Sequence, residues 1–401
     1  MNVLTETVRE YISCADTREI FHGMERETIQ MAHDGLEQTV MNFHILKDVK
    51  TLEERANCPP PTTNIALDLA RLVEYQRQDP DFDMLEKDWS THKRDCKDIQ
   101  DANLEKKLVR IAEIVQQAYY DFRENTWDTP VTKVEDNDDA LVIHDGITNN
   151  KKGYFVEFPE HLVSNDKAKK AMLCAWACNE PMAWMHDTLL SPLEGPNVKV
   201  EEVSVSLGTI LRKVTVHGPS GNVVEDNWPK FLHDIIRITV IKAKKQWIVD
   251  VSGAQYGIYQ AFWGRKEYEK EYRTNTRVVQ AIGTNKFRLK VLANISGNPT
   301  LVYGVVGVVA GHLDKIVSGW AANCALSLAS LLDLNEGYYQ QASSELLRTM
   351  EVAVGTFIKT LDCSTEFRIA QSYEREHPGK SGRMCIEYSK MVVGKNTITT
   401  G

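Results

Sequence analysis

The chain has 401 residues, of which 47 are basic and 56 acidic, so its formal net charge is −9. With 42% hydrophobic and 26% charged residues, the composition is typical of a folded globular protein and excludes an intrinsically disordered one. The acidic balance argues against a nucleic-acid-binding protein, since such a surface needs a basic stripe to displace counterions.

The sequence contains no strong signal for membrane insertion or export. No apolar stretch reaches the roughly 18 residues that would predict a membrane span. The opening segment, MNVLTETVREYISC, carries acidic residues where a signal peptide is basic and then apolar. We therefore expect an intracellular protein, cytoplasmic or nuclear.

The N-terminal quarter contains one helical segment and one polar stretch. The first 50 residues are predicted to be helical, because apolar residues recur at helical spacing with few breakers. The prolines of ANCPPPTT, residues 57–64, interrupt this pattern. The stretch that follows, to about residue 101, has too few aliphatic residues to build a core of its own.

The clearest helix is predicted from about Leu104 to Trp127, where apolar residues recur every three or four positions. Beyond it, helices are also predicted in NDKAKKAMLCAWACNEPMAWMHDTLL and from Leu301 to Cys363. Alternation of apolar and polar residues predicts strands between these helical regions. The predicted strands include VKVEEVSVSLG, ILRKVTVHG, IIRITVI and QWIVDVSG.

The eight cysteines are scattered through the chain, and no CxxC pair occurs. This distribution does not indicate a disulfide scaffold or a zinc site built from paired cysteines, and it favours reduced thiols. Cys174 and Cys178 are four residues apart in a predicted helix, among Ala, Trp and Leu. We expect both to be buried and chemically inert, packing that helix against the sheet.

The segment KDWSTHKRDCK, residues 87–97, resembles the end of a MYND zinc finger through Trp89, His92 and Cys96. The resemblance implies two zinc ions held by eight ligands, and short partner peptides docked by the finger. The two preceding ligand positions fall on Pro80 and Met84, which leaves a short ligand set. The candidate zinc ligands that remain are Cys58, His92 and Cys96. Three ligands cannot fill two sites of four, so we interpret the finger as degenerate and expect no two-zinc site.

A longer resemblance, over about 85–280, is to uncharacterised fungal proteins that carry a MYND finger ahead of a larger domain. Its best marker is QWIVDVSGAQYGIY, residues 246–259. The resemblance implies an architecture and no reaction. We predict an α+β fold with three parts, a C-terminal mostly antiparallel sheet flanked by helices, and a non-enzymatic function in binding a protein partner. The parts are an N-terminal helical segment at 1–57, a degenerate MYND-like segment at 58–103 and a C-terminal α+β domain at 104–401.

An alternative interpretation is a papain-like or transglutaminase-like cysteine hydrolase or transferase, active or inactive. Such enzymes place a His at the start of one strand and an Asp or Asn on the next, as His233 and Asp250 are placed here. The nucleophile would be Cys174 or Cys178, although both fall inside a predicted helix.

The predicted strand register also opposes the enzymatic interpretation. A turn centred on residues 243–244 would place Asp250 opposite Arg237 and His233 opposite Ala254. The His and Asp would then be about four residues, or roughly 13 Å, out of register. We therefore predict that Asp250 forms a structural cross-strand pair with Arg237.

Overall fold

The structure is a computed structural model, and it describes residues 82–395 apart from 138, 148–153, 194–197, 221–222 and 242–243. It describes the backbone alone for 82–100, 223–225 and 389–395.

The chain divides into two compact units, Met1–Asn103 and Leu104–Gly401. The predicted N-terminal helical segment, Cys58 and Pro80 lie outside the described residues, so these predictions remain predictions.

The described helices, numbered in chain order, are α1 (Phe82–Asn125), α2 (Asp166–Leu173), α3 (Glu180–Trp184), α4 (His186–Leu190), α5 (Arg265–Tyr272), α6 (Thr284–Ala293), α7 (Asn298–Cys324), α8 (Leu328–Asp333), α9 (Glu336–Thr360), α10 (Ser364–Glu376) and α11 (Lys380–Lys395). Single 3₁₀ turns occur at Glu160–Leu162, Ser191–Leu193 and Gly253–Tyr256.

The described strands are β1 (Val131–Asn137), β2 (Ala140–Asp145), β3 (Val198–Ser206), β4 (Lys213–His217), β5 (Val223–Asp226), β6 (His233–Val240), β7 (Gln246–Val249), β8 (Phe262–Gly264) and β9 (Asn275–Ala281). They form a sheet of order β1-β2-β4-β5 and a larger sheet of order β8-β7-β6-β3-β9. All pairs are antiparallel except β2 and β4. The predicted α+β fold, with a mostly antiparallel sheet flanked by helices, is confirmed.

Helix α1 contains the clearest predicted helix and is longer than predicted. It begins at Phe82, because the polar stretch before Leu104 contains neither Pro nor Gly and is rich in residues that tolerate the helical backbone. Its apolar face is buried as the spacing indicated. The predicted face residues are all at most 3% exposed: Leu108, Ile111, Val115, Ala118 and Phe122.

The larger sheet is buried on both faces, which fixes where its polar residues can lie. Ile236, Ile238 and Trp247 belong to the main core, which also includes the apolar face of α1. Ile235 and Ile248, from the same two strands, belong to a second cluster rich in tyrosine. Successive side chains of a strand point to opposite faces, so each strand contributes to both cores.

An arginine of α1 holds the C-terminal helices against the first helix. The Arg110 guanidinium donates to the carbonyl oxygens of Leu332 and Leu334 at 2.8 and 2.6 Å, and it forms an ion pair with Glu336 at 2.8 Å. It also lies over the Tyr339 ring, 4.0 Å from the centroid. These contacts satisfy carbonyls at the end of α8 and fix the start of α9.

Among the described residues, α7 is the one helix long and apolar enough to cross a membrane. Its residues Val306, Val309 and Leu313 are buried in the main core. The core helix of a soluble protein has the same length and composition, so this observation is weak evidence for a span.

Candidate active site

The antiparallel hairpin β6–β7 brings His233 and Asp250 together. His233 Nε2 lies 2.9 Å from Asp250 Oδ1, and both side chains are completely buried. The two residues are at the same end of the hairpin, where β6 begins and where the chain leaves β7. A buried carboxylate is costly unless it is hydrogen-bonded, so this contact defines the local structure.

The predicted pairing of Asp250 with Arg237 is wrong. Arg237 lies opposite Ile248, and Ile236 lies opposite Val249. The register is shifted by two residues from the prediction, which leaves His233 and Asp250 as diagonal neighbours on one face. Lys244, in left-handed backbone at φ 54°, lies in the connection between the strands and is not marked by any turn motif.

Arg237 instead pairs with an acidic residue of β3. Its Nε and Nη2 donate to Glu201 Oε2 at 3.1 and 2.9 Å. Glu201 and Arg237 are directly opposed across β3 and β6, so they form a cross-strand ion pair. Asp250 is consequently free to bind His233.

Three further residues position Asp250. The Tyr268 hydroxyl donates to Oδ2 at 2.8 Å, and Gln116 of α1 donates to the Asp250 carbonyl at 3.2 Å. Burial raises the pKa of Tyr268 well above its usual value, so this hydroxyl keeps its proton and remains a donor. A Cβ on Gly253 would overlap the Asp250 carboxylate, so only glycine allows this close approach.

The His233 ring has one bound nitrogen and one free nitrogen. An ionised Asp250 can only accept, so Nε2 is the donor in this contact, and Nδ1 presents a lone pair whenever the ring is neutral. Nδ1 is buried and has no hydrogen-bond partner among the described residues. The ring packs edge-to-face on Tyr256, with centroids 4.9 Å apart. The arrangement is that of a base oriented by an acid.

Cys178 lies at the same end of the hairpin as His233. Its Sγ is 3.6 Å from the Leu232 carbonyl oxygen and 3.9 Å from Asp234 Oδ2, so it contacts the residues on both sides of His233. The thiol forms no hydrogen bond with the His233 ring. Burial, and then the Asp234 carboxylate, raise the pKa of Cys178.

Cys174 and Cys178 differ in their environments. Both were predicted to lie within a helix, and neither does. Cys174 is the C-terminal cap of α2 and is completely buried, whereas Cys178 lies in the turn before α3 and is half-buried. Burial raises the pKa of Cys174 well above its usual value, and the Asp250 charge adds to this effect. Asn179 caps the start of α3 and Pro181 lies in its first turn, so the helix cannot be continuous with α2, a break that the apolar pattern had concealed.

The turn that carries Cys178 is held against the residues that follow Asp250. The Trp176 amide donates to Gln255 Oε1 at 3.2 Å, and the Ser252 hydroxyl donates to the Cys178 carbonyl at 3.4 Å. Trp176 adopts φ 62°, an uncommon conformation for a bulky residue, and its ring packs edge-to-face on Phe231. These contacts fix Cys178 relative to the hairpin.

The side chains of the expected zinc ligands are not among the described residues. His92 and Cys96 lie on α1, where the backbone alone is described, and Cys58 lies outside the described residues. Among the described side chains, no group of three His, Cys, Asp or Glu residues is arranged to hold a metal ion. The predicted absence of a two-zinc finger therefore stays a prediction.

No protein-family model, curated protein or solved structure matches this chain. The functional argument therefore rests on the geometry of the site.

Sequence reasoning selected Cys178, His233 and Asp250 as candidates, and the structure places all three at one end of the hairpin. It missed Gln116, Tyr268 and Asp234. The first two come from helices distant in sequence and carry no motif. Asp234 follows His233 directly, so its acidic side chain beside the predicted base was the signal that could have found it.

Proposed function

We propose that the domain from residue 104 onward catalyses acyl transfer or hydrolysis through a cysteine nucleophile, with Cys178 as nucleophile and His233 as general base. Asp250 orients the base. The observation that carries this proposal is the buried His233–Asp250 hydrogen bond, which leaves Nδ1 without a partner at the strand end that Cys178 contacts. Both objections raised by the sequence, a helix-interior cysteine and a mismatched register, rest on predictions that were wrong.

The reaction begins with proton transfer from the Cys178 thiol to His233 Nδ1, after rotation of the thiol away from its present acceptors. The thiolate attacks the carbonyl carbon of an ester, thioester or amide, and the imidazolium gives its proton to the leaving group. Water or an amine then attacks the thioester and regenerates the thiol. Asp250 holds the imidazole in the required tautomer and stabilises its charged form.

Tyr268, Gln116 and Gly253 act as positioning residues in this proposal. The first two hold the Asp250 carboxylate and carbonyl, and the third leaves space for the carboxylate. Rigid support of this kind keeps an acid–base pair within the narrow geometry that catalysis needs.

A second candidate is a non-catalytic, intracellular protein that binds a protein partner, related to the MYND-finger group. The complete burial of His233 and Asp250 and the raised pKa of Cys178 favour it, because the network would then only stabilise the sheet. The free thiols of the described cysteines support an intracellular location.

Acylation by p-nitrophenyl acetate, followed by peptide mapping in a mass spectrometer, distinguishes the two candidates. We expect acetyl-Cys178 in the wild type, and a loss of roughly 10²–10⁴-fold in its rate of formation in His233→Gln. Cys324, which is exposed, provides an internal control whose acetylation should be equal in both proteins. Equal acetylation of Cys178 in the two proteins would contradict the catalytic proposal and leave the second candidate.

A further inference from the structure

The resting thiol of Cys178 is engaged by an acid rather than by the base. Its Sγ donates towards Asp234 Oδ2 and the Leu232 carbonyl oxygen. Asp234 follows His233 on β6, so the two side chains point to opposite faces of the strand. The thiol therefore lies on the Asp234 side of the strand end.

Asp234 is fixed in place and is half-buried. The Ser204 hydroxyl donates to Oδ1, and Ser204 is directly opposite Asp234 across β3 and β6. Oδ2 faces the thiol, and the residue is half-buried rather than sealed in the core. Cys178 is half-buried as well, so both residues keep some exposure to solvent.

The charges around Asp234 leave it only partly compensated. The hydrogen bond from Ser204 and the charge of Arg288 favour its ionised form, but burial is the largest effect and raises the pKa of Asp234. The Glu202 carboxyl of β3, on the same face of the sheet, also interacts unfavourably with Asp234. Arg288 Nε is buried and has no hydrogen-bond partner among the described residues.

We infer that Asp234 binds a positively charged group of the substrate and, in its absence, holds Cys178 in the protonated state. This inference rests on the proposed function, and it assigns to the site a cationic acyl substrate. A cation at Asp234 cancels the charge that opposes thiolate formation and removes the acceptor that keeps the thiol away from His233. Nucleophile activation is thereby coupled to the presence of the correct substrate.

Charged thiol reagents test the inference without requiring any acyl transfer. The probes are 2-aminoethyl methanethiosulfonate, which is cationic, and 2-sulfonatoethyl methanethiosulfonate, which is anionic. In both reactions the thiolate forms a disulfide with the reagent sulfur and methanesulfinate leaves, while the thiol proton passes to solvent. Peptide mapping reports the rate at Cys178 and at the exposed Cys324 in the same sample.

We expect the cationic reagent to modify Cys178 at least 10-fold faster than the anionic one, relative to the same ratio at Cys324. Asp234→Asn should bring the two rates within about twofold and should raise the rate with neutral methyl methanethiosulfonate by at least 10-fold. Asp187→Asn, which removes an exposed carboxylate on α4, is the matched control and should change neither value. An unchanged charge preference in folded Asp234→Asn would overturn the inference.

Two additional variants keep the test decisive. Ser204→Ala retains the Asp234 charge and should retain the charge preference, so it reports on the inference if Asp234→Asn fails to fold. With p-nitrophenyl 4-guanidinobenzoate and p-nitrophenyl benzoate, the cationic ester should acylate wild-type Cys178 at least 10-fold faster. Charge-selective labelling without acylation by either ester would reject the proposed function and retain the inference, whereas acylation without charge selectivity would do the reverse.

Discussion

Two positions along β6 hold polar side chains in different ways. Towards the middle of β6, Arg237 and Glu201 of β3 form an ion pair whose side chains are 15% and 10% exposed, so water still screens it. At the start of β6, His233 and its partner Asp250 are completely buried and depend on hydrogen bonds from the protein. Partly solvated pairs add little stability, whereas an unpaired buried charge is very costly. The buried His233–Asp250 pair is therefore the one whose presence needs an explanation other than solubility.

The largest effect is expected from Asp250→Ala. This change leaves buried His233 Nε2 and Tyr268 without their acceptor, so the free energy of unfolding should fall by about 3–5 kcal/mol. Urea denaturation measures the loss. Asp187→Ala, at an exposed position, is the control and should lie within about 0.5 kcal/mol of the wild type. A loss below about 1 kcal/mol for Asp250→Ala would show that the buried His233–Asp250 pair contributes no more to stability than the partly exposed Arg237–Glu201 pair.

Two adjacent carboxyls of β3 sharpen the comparison through pH. Burial raises the pKa of Glu202 to about 7, despite hydrogen bonds from the amides of Asn285 and Gly283. Burial also acts on Glu201, but Lys199 and Arg237 outweigh it and lower its pKa. Since successive strand residues face opposite sides, the neighbours lie in different environments.

The two carboxyls should change stability with pH in opposite directions. Below about pH 4.5, Glu202 is protonated in both the folded and the unfolded protein. As pH rises to about 7, the free energy of unfolding falls by roughly 2–3 kcal/mol, because the carboxyl ionises more readily in the unfolded protein. For Glu201, the stabilisation is present above about pH 4.5 and is lost as pH falls through its lowered pKa. Urea denaturation of Glu202→Gln and Glu201→Gln against the wild type, from pH 3 to 8, measures both. Parallel pH profiles of the two variants would contradict this assignment.

The smallest effect is expected from Arg237→Gln. Loss of a partly exposed ion pair should cost about 1 kcal/mol or less in thermal or urea unfolding. Since Arg237 does not contact Asp250, the double variant with Asp250→Asn should show additive losses within about 0.5 kcal/mol. Strong coupling between the two changes would instead restore the pairing that the sequence suggested.

The sequence predicted the helices and strands better than the register in which the strands pair. The apolar spacing from Leu108 to Phe122 is a local signal, and the buried face of α1 agrees with it. The register of β6 and β7 depends on where a lysine-rich connection turns, and a shift of two residues preserves the alternation of faces. Periodicity therefore could not separate an Arg237–Asp250 pair from a His233–Asp250 pair.

The site was predictable only in part, for a related reason. His233 and Asp250 stand out because each begins or follows an apolar strand. Gln116 and Tyr268 reach the Asp250 segment from 134 and 18 residues away, respectively, and such contacts leave no trace in local spacing. Cys178 was assigned to a helix because the break before α3 lies inside an apolar run.

The contacts of Arg110 with the end of α8 and the start of α9 can form only late in synthesis on the ribosome. Arg110 emerges early, but its acceptors at Leu332, Leu334 and Glu336 are more than 220 residues later in the chain. Until those residues have been synthesised, the guanidinium and the adjacent apolar face of α1 lack their final partners. A nascent chain that stops before Leu332 would therefore display an incompletely covered helix, which is the kind of surface that chaperones bind.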